Sequence, residues 1–289
     1  MSSKIYVINL SGEKEPLSTR KIYRSARRAG ASKFLAEKIM EIVSKEVRPG
    51  MTTTEIYDRI KSLLRQEMPA VAMKFSLKSS LRKLGPTGFP FEKYMAAIIA
   101  KQGYWVQTNQ IIRGYCVDYE IDFLAKKGSD FFVGECKYHN LLGPRTDLKV
   151  ALANHARFLD IKQGSFFNQK ELRGLNIKSL LVTNTKFTTQ AIAYSNCVGG
   201  CLLGWGYPAR ENLQYFIESQ KLYPITILPS LKEFEFNIFS THNLMLVQDL
   251  LTLDADKFSR THKVPLNRLL NLINEAKTLL GEQNLENRK

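Results

Sequence analysis

One stretch constrains the fold more than any other. Val117–His139, VDYEIDFLAKKGSDFFVGECKYH, alternates, breaks at Gly128-Ser129 and resumes as a mostly apolar run. Glycine at the first central position favours a two-residue hairpin turn. Lys127 then opposes Asp130, and stepping outward in that register sets Asp122 against Glu135 and Glu120 against Lys137. Alternation puts Glu120 and Asp122 on one face of their strand and Glu135 and Lys137 on one face of theirs. Tyr119, Ile121 and Phe123 take the other side. Directly opposed carboxylates repel, so a sheet rarely holds such a pair without a reason. A divalent cation supplies one, because Mg²⁺ takes oxygen ligands and is usually held by one or two carboxylates. The plainer reading is a solvated face with a Glu120–Lys137 ion pair. Against it, FFVGEC is almost wholly apolar, and an acid ending a buried strand is costly unless paired or metal-bound.

The chemistry that fits is phosphodiester hydrolysis. It needs a cation to polarise the phosphoryl oxygen and a neighbouring group to orient the attacking water. Asp122 and Glu135 are the candidate ligands. Lys137 is the candidate positioner or charge stabiliser.

The rest of the chain sets this hairpin in a mixed α/β context. FEKYMAAIIAKQG reads as an amphipathic helix before it, with a short strand at Trp105–Gln107. Helices over Asp147–Asp160 and Thr188–Cys197 alternate with strands over Ser179–Thr183 and Cys201–Trp205. Upstream, KIYVINLSGEKEPLS reads as two short strands around Ser-Gly, followed by four helices closed at Gly85-Pro86. From about Leu222 a small helical unit is expected. With 289 residues, more than one domain is expected. The opening MSSKIYVINL lacks a long apolar segment and the four cysteines read as reduced thiols, so the expected compartment is the cytoplasm.

Charge points to a polyanionic partner. The net charge is +15, and residues 1–90 carry 18 Lys and Arg against 8 Asp and Glu. A basic surface of this kind suits nucleic acid ahead of membrane. Zinc is not expected: Cys197-x₃-Cys201 and Cys136-x₂-His139 have no further ligands at finger-like spacing. His139 and His155 stand near the acids, and Arg157 and Asp160 lie on the next helix, suited to a backbone contact or a salt bridge. Arg260, His262, Lys263 and Arg268 form a C-terminal basic cluster that suits DNA binding or a solvated packing face equally well.

At these residues the chain resembles the PD-(D/E)xK nuclease superfamily, and within it the Mrr-like restriction endonuclease domain. GFPFEKYMAAIIAKQGYWV is similar to the family's leading helix, with Glu92 at the acid's position; YEIDFLA supplies Asp122, and GECK supplies Glu135 and Lys137. The likeness spans about residues 86–205, and Ile121 stands where the family usually has proline. It implies a restriction-endonuclease-like mixed sheet with flanking helices. It also implies Mg²⁺ or Mn²⁺ on Asp122, Glu135 and Glu92, DNA as substrate, and a homodimer or higher oligomer. An RNA substrate is chemically equivalent, since nothing in the sequence reads a 2′-hydroxyl.

The N-terminal residues, from about Lys4 to Leu84, resemble the ATP-cone, a nucleotide-sensing module. VINLSGEKEPLSTRKI, GMTTTEIYDRI and LKSSLRKLG carry the likeness. It implies ATP or dATP as effector, contacted by Val7, Glu15, Lys21, Thr53 and Lys83. The family's usual Lys-Arg-Asp-Gly at the hairpin is replaced by Asn9-Leu10-Ser11-Gly12, which removes two phosphate-binding cations. The expected organisation is therefore an ATP-cone at 1–85, a nuclease domain at 86–221 and a helical extension at 222–289. The expected function is a nucleotide-regulated, metal-dependent DNA endonuclease. The rival is a nucleotide-responsive DNA-binding regulator whose nuclease fold is inactive.

Overall fold

Short polar side chains fix where most helices begin. In the computed structural model, which describes residues 5–85 and 88–281, Ser18 caps α1 (Thr19–Arg28) and Ser32 caps α2 (Lys33–Glu46). Thr52 and Glu55 form a reciprocal capping box on α3 (Thr53–Glu67). The fourth expected helix is broken at Ser76 into α4 (Pro69–Phe75) and α5 (Leu77–Leu81). Before them β1 (Tyr6–Ile8) and β2 (Lys14–Pro16) pair antiparallel, with Val7 opposite Glu15. Asn9 closes their turn through its own side chain, which accepts from the Ser11 and Glu13 amides.

Two compact units divide the described residues. One takes the chain up to Ser80, then Ile225–Phe236 and the residues from Val247 on; the other takes Leu81–Pro224 and Asn237–Leu246. In the first, Val7, Ile22, Leu35, Ile39, Ile60 and Leu64 belong to one core cluster. Beyond α9 (Leu213–Ser219) and α10 (Glu233–Thr241), the closing helices α11 (Ala255–His262) and α12 (Leu266–Leu280) belong to this unit, and α12 lies against α4. Arg268 makes two hydrogen bonds to the fully buried Glu235, at 2.5 and 2.8 Å, and another to the Ser230 carbonyl. That arginine, counted among the basic cluster, is a packing residue.

The second unit is a mixed α/β core around a five-stranded sheet in the order β3-β4-β5-β6-β7. The strands are β3 (Trp105–Arg113), β4 (Asp118–Lys127), β5 (Asp130–Lys137), β6 (Asn176–Thr183) and β7 (Cys201–Leu203). β3, β4 and β5 run antiparallel in sequence; β6 and β7 join in parallel. α6 (Phe89–Lys101) lies against β3, β4 and β5. α7 (Leu148–Gln163) connects β5 to β6, and α8 (Thr189–Cys197) connects β6 to β7. β3 is three times the length expected, because its polar alternation (TNQIIR) pairs along the whole of β4. Pro86 and Thr87, at the expected domain boundary, lie outside the described residues, as do Lys4 and the residues after 281. No helix is long and apolar enough to cross a membrane among the described residues.

Candidate functional site

The hairpin register is the one its turn demands. Lys127 faces Asp130 and Phe123 faces Gly134, with Gly128 at φ +58°. There the pairing of β4 with β5 stops. β4 goes on pairing with β3 as far as Asp118, and β5 goes on pairing with β6 as far as Lys137. The two central strands therefore part like a fork at Asp122 and Glu135. Asp122 Oδ2 accepts a 2.6 Å hydrogen bond from the Cys136 amide, so a carboxylate takes the place of a ladder carbonyl. Asn109, opposite Asp122, has φ +54° and interrupts β3 at the same level. Ile121 and Leu124, three residues apart, belong to one core cluster with Val133 and Ile161. Simple alternation along β4 is broken at Asp122.

Four acids stand within electrostatic reach of one another at the mouth of the fork. Glu92 stands in the first turn of α6, and its carboxyl is pushed up to about 7 by burial, then by the charges of Asp122, Glu120 and Glu135. Glu135 is also pushed up to about 7, by burial and by Asp122, with Arg157 and Lys137 pulling the other way. Burial raises Asp122, and the Cys136 amide and Arg157 offset part of that. The site concentrates negative charge where water is scarce, the condition under which carboxyls retain protons or take a cation.

Arg157 is the residue that sequence reading left undecided. It reaches from α7 to Glu135 as an ion pair, with its guanidinium 5.8 Å from the centre of the Tyr119 ring. The expected alternative partner set, Glu120 with Lys137, is not an ion pair among the described residues. Lys137 is exposed at the end of β5. Asp160, a turn further along α7, accepts from the Cys116 and Val117 amides and so fastens the β3–β4 connection. Among the described residues no three His, Cys, Asp or Glu side chains stand assembled as a ready metal site. Glu135 is turned to Arg157, and Asp122 to a backbone amide.

Both histidines near the acids are engaged. His139 Nε2 is 3.2 Å from Thr146 Oγ1, in a chain of hydroxyls with Thr183 and Thr185, and Asn184 bridges its amide and carbonyl. Burial and the Lys137 charge hold its imidazole below the ordinary range. His155 pairs with the Tyr194 hydroxyl at 2.7 Å. The segment following Lys137 is thus anchored, which limits where that lysine's backbone can lie.

In the other unit, Val7, Glu15, Lys21 and Thr53 line a single cavity of about 210 Å³. Lys21 Nζ lies 3.2 Å from Glu15 Oε1, and the stacked rings of Tyr57 and Phe75, 4.8 Å apart, form part of the wall. Lys83 does not line it; it is exposed and belongs to the unit beginning at Leu81.

A mixed α/β protein with a half-buried acidic fork is the class this geometry defines. Comparison with known proteins places it further. The family profile described as AF1548-like, C-terminal, matches residues 223–280. An uncharacterized protein of Archaeoglobus fulgidus is 34% identical over 187 residues, which take in 65% of this chain and all of that one. The crystal structure of a protein of unknown function, AF1548, is similar with a TM-score of 0.57 and 33% identity, covering 66% of this chain and 98% of its own. The chain belongs to the AF1548-like family.

Proposed function

We propose that the protein is an endonuclease that hydrolyses DNA phosphodiester bonds with Mg²⁺ or Mn²⁺ at the fork, in the manner of restriction-endonuclease-like enzymes. One observation carries this reading. Glu92, Asp122 and Glu135 stand with Glu120 at a break between two paired strands, where burial and neighbouring carboxylates raise the proton affinity of the first three, and Lys137 lies two residues beyond Glu135. The donor set fits a hard cation: carboxylate oxygens in a partly desolvated place, carrying more negative charge than one guanidinium offsets. Asp122 and Glu135 would hold the ion, with Glu92 beside them.

When bound, the ion supplies Lewis acidity toward a phosphoryl oxygen and a more acidic water. The chain's own residues do the rest. Asp122 stays fixed through the Cys136 amide. Lys137 presents an ammonium that orients the attacking water or offsets charge on the phosphoryl oxygens. Arg157 must let go of Glu135 for both of that residue's oxygens to serve, and is then free for a substrate phosphate. The cavity around Val7, Glu15, Lys21 and Thr53 is the proposed seat of ATP or dATP as effector, with Tyr57 and Phe75 offering a ring surface to the base. A dimer is the assembly in which two such sites would cut both strands.

The test is cleavage of supercoiled plasmid in Mg²⁺ or Mn²⁺ by wild type and Lys137→Ala, with and without ATP or dATP. Nicking that drops at least ~100-fold in the variant is the expected result, the scale of losing one charge-stabilising group. A nucleotide-responsive DNA-binding regulator is the second reading. The Glu135–Arg157 ion pair and the lack of an assembled three-acid group among the described residues favour it. DNA binding without cleavage by wild type would select that reading.

A further inference from the structure

α1 has three different sides. Residues advance about 100° each around a helix. Ile22 and Ala26 face the core and are buried, Lys21 and Ser25 line the cavity, and Arg20, Arg24 and Arg28 follow at four-residue steps along the remaining side, all exposed. The helix TRKIYRSARR holds five cations and no acid. Two of the cations are occupied: Lys21 pairs with Glu15, and Arg27 Nη1 donates to the Ala31 carbonyl at 2.5 Å. Arg20, Arg24 and Arg28 are in no ion pair among the described residues.

We propose that this arginine stripe is a docking surface for the phosphate backbone of duplex DNA. The inference rests on DNA as the partner of the fork and adds where the duplex is held. Like charges one turn apart repel and weaken the helix that carries them, so the stripe costs the fold something that a line of phosphates would relieve. Three guanidiniums at intervals of about 6 Å along an axis can each meet a phosphate, and such contacts position a duplex without reading its sequence. An anionic membrane fits less well. A helix that lies on a bilayer sinks an apolar side into it, and the apolar side of α1 is already in the core.

The experiment measures binding of a labelled duplex of about 20 base pairs to the full chain by anisotropy, across about 50 to 200 mM salt. The triple variant Arg20→Gln, Arg24→Gln, Arg28→Gln is expected to bind at least ~10-fold more weakly at the low end. Its slope of log affinity against log salt should be shallower by roughly 2 to 3, since each lost phosphate contact removes about 0.9. The matching triple Lys variant should keep both affinity and slope. Unchanged binding by the Gln variant overturns the proposal, and so does equal weakening by the Lys variant, which would mean that the arginines act through folding. Loss of binding to anionic vesicles with duplex binding intact would overturn it in favour of a membrane. Wild-type binding that depends on the stripe, without cleavage, would defeat the nuclease reading and leave the stripe standing.

Discussion

At the scale of the residue, Arg157 decides the most. Its ion pair with Glu135, with both side chains about three-quarters buried, stands in for a cation in the fork. Replacing Arg157 with Met is expected to cost about 1–3 kcal/mol of metal-free stability, as for a charge-assisted hydrogen bond lost from a shielded place. The same variant should gain more melting temperature from Mg²⁺ or Mn²⁺ than wild type does, because nothing then competes for Glu135. Asp122→Asn should lose most of that gain; thermal melts with and without the ion read both effects. The register from the turn out to Phe123 and Gly134 was legible in the sequence because a two-residue turn leaves one register; the expected direct opposition of Asp122 and Glu135 is not made, since the pairing stops one step short of it. Arg157 was not legible, since a side chain 22 residues away in sequence reaches the fork only once α7 has packed.

Among the elements, β4 and β5 carry the strictest fit. Phe123 is fully buried and its ring lies over Gly134, where an added Cβ would come 2.1 Å from the ring. Gly134→Ala is expected to destabilise the protein by about 1–3 kcal/mol through overpacking. Phe123→Leu should recover part of that loss in the double variant, which denaturant melts of the four proteins would measure. Strand identity followed from alternation and turn chemistry, and the sequence showed helices between the later strands; that β6 and β7 join in parallel is seen in the structure. The fork itself left no trace in the pattern. It arises where a carboxylate captures the Cys136 amide, a choice that depends on three-dimensional approach rather than on residue order. The full length of β3 was hidden for a related reason: a strand rich in Thr, Asn and Gln is recruited by its partner, not by its own apolar content.

For the whole molecule, the C-terminal segment is the informative part. A helical unit of its own was expected from about Leu222, and the AF1548-like profile begins at residue 223. The destination of these helices was not legible, because an apolar helix face does not name what it will pack against. Glu235 ties that segment together. Burial pushes its carboxyl up, but the Arg268 guanidinium and the Lys232 amide pull it further down, so its folded value lies below the ordinary 4.5. Its contribution is therefore present in full above pH ~4.5 and is lost as pH falls through the folded value. Glu235→Gln should be less stable than wild type at neutral pH, with the gap closing in acid, as melts across pH would record. A chain ending at residue 221 should leave the α4 surface against which α12 lies uncovered, and limited proteolysis should cut its first 80 residues faster than in the intact protein. Synthesis runs from the N-terminus, so the ribosome delivers every residue of the sheet-bearing unit by Leu246, while the unit that begins the chain still awaits α12. The part made first is the part that can be finished only last.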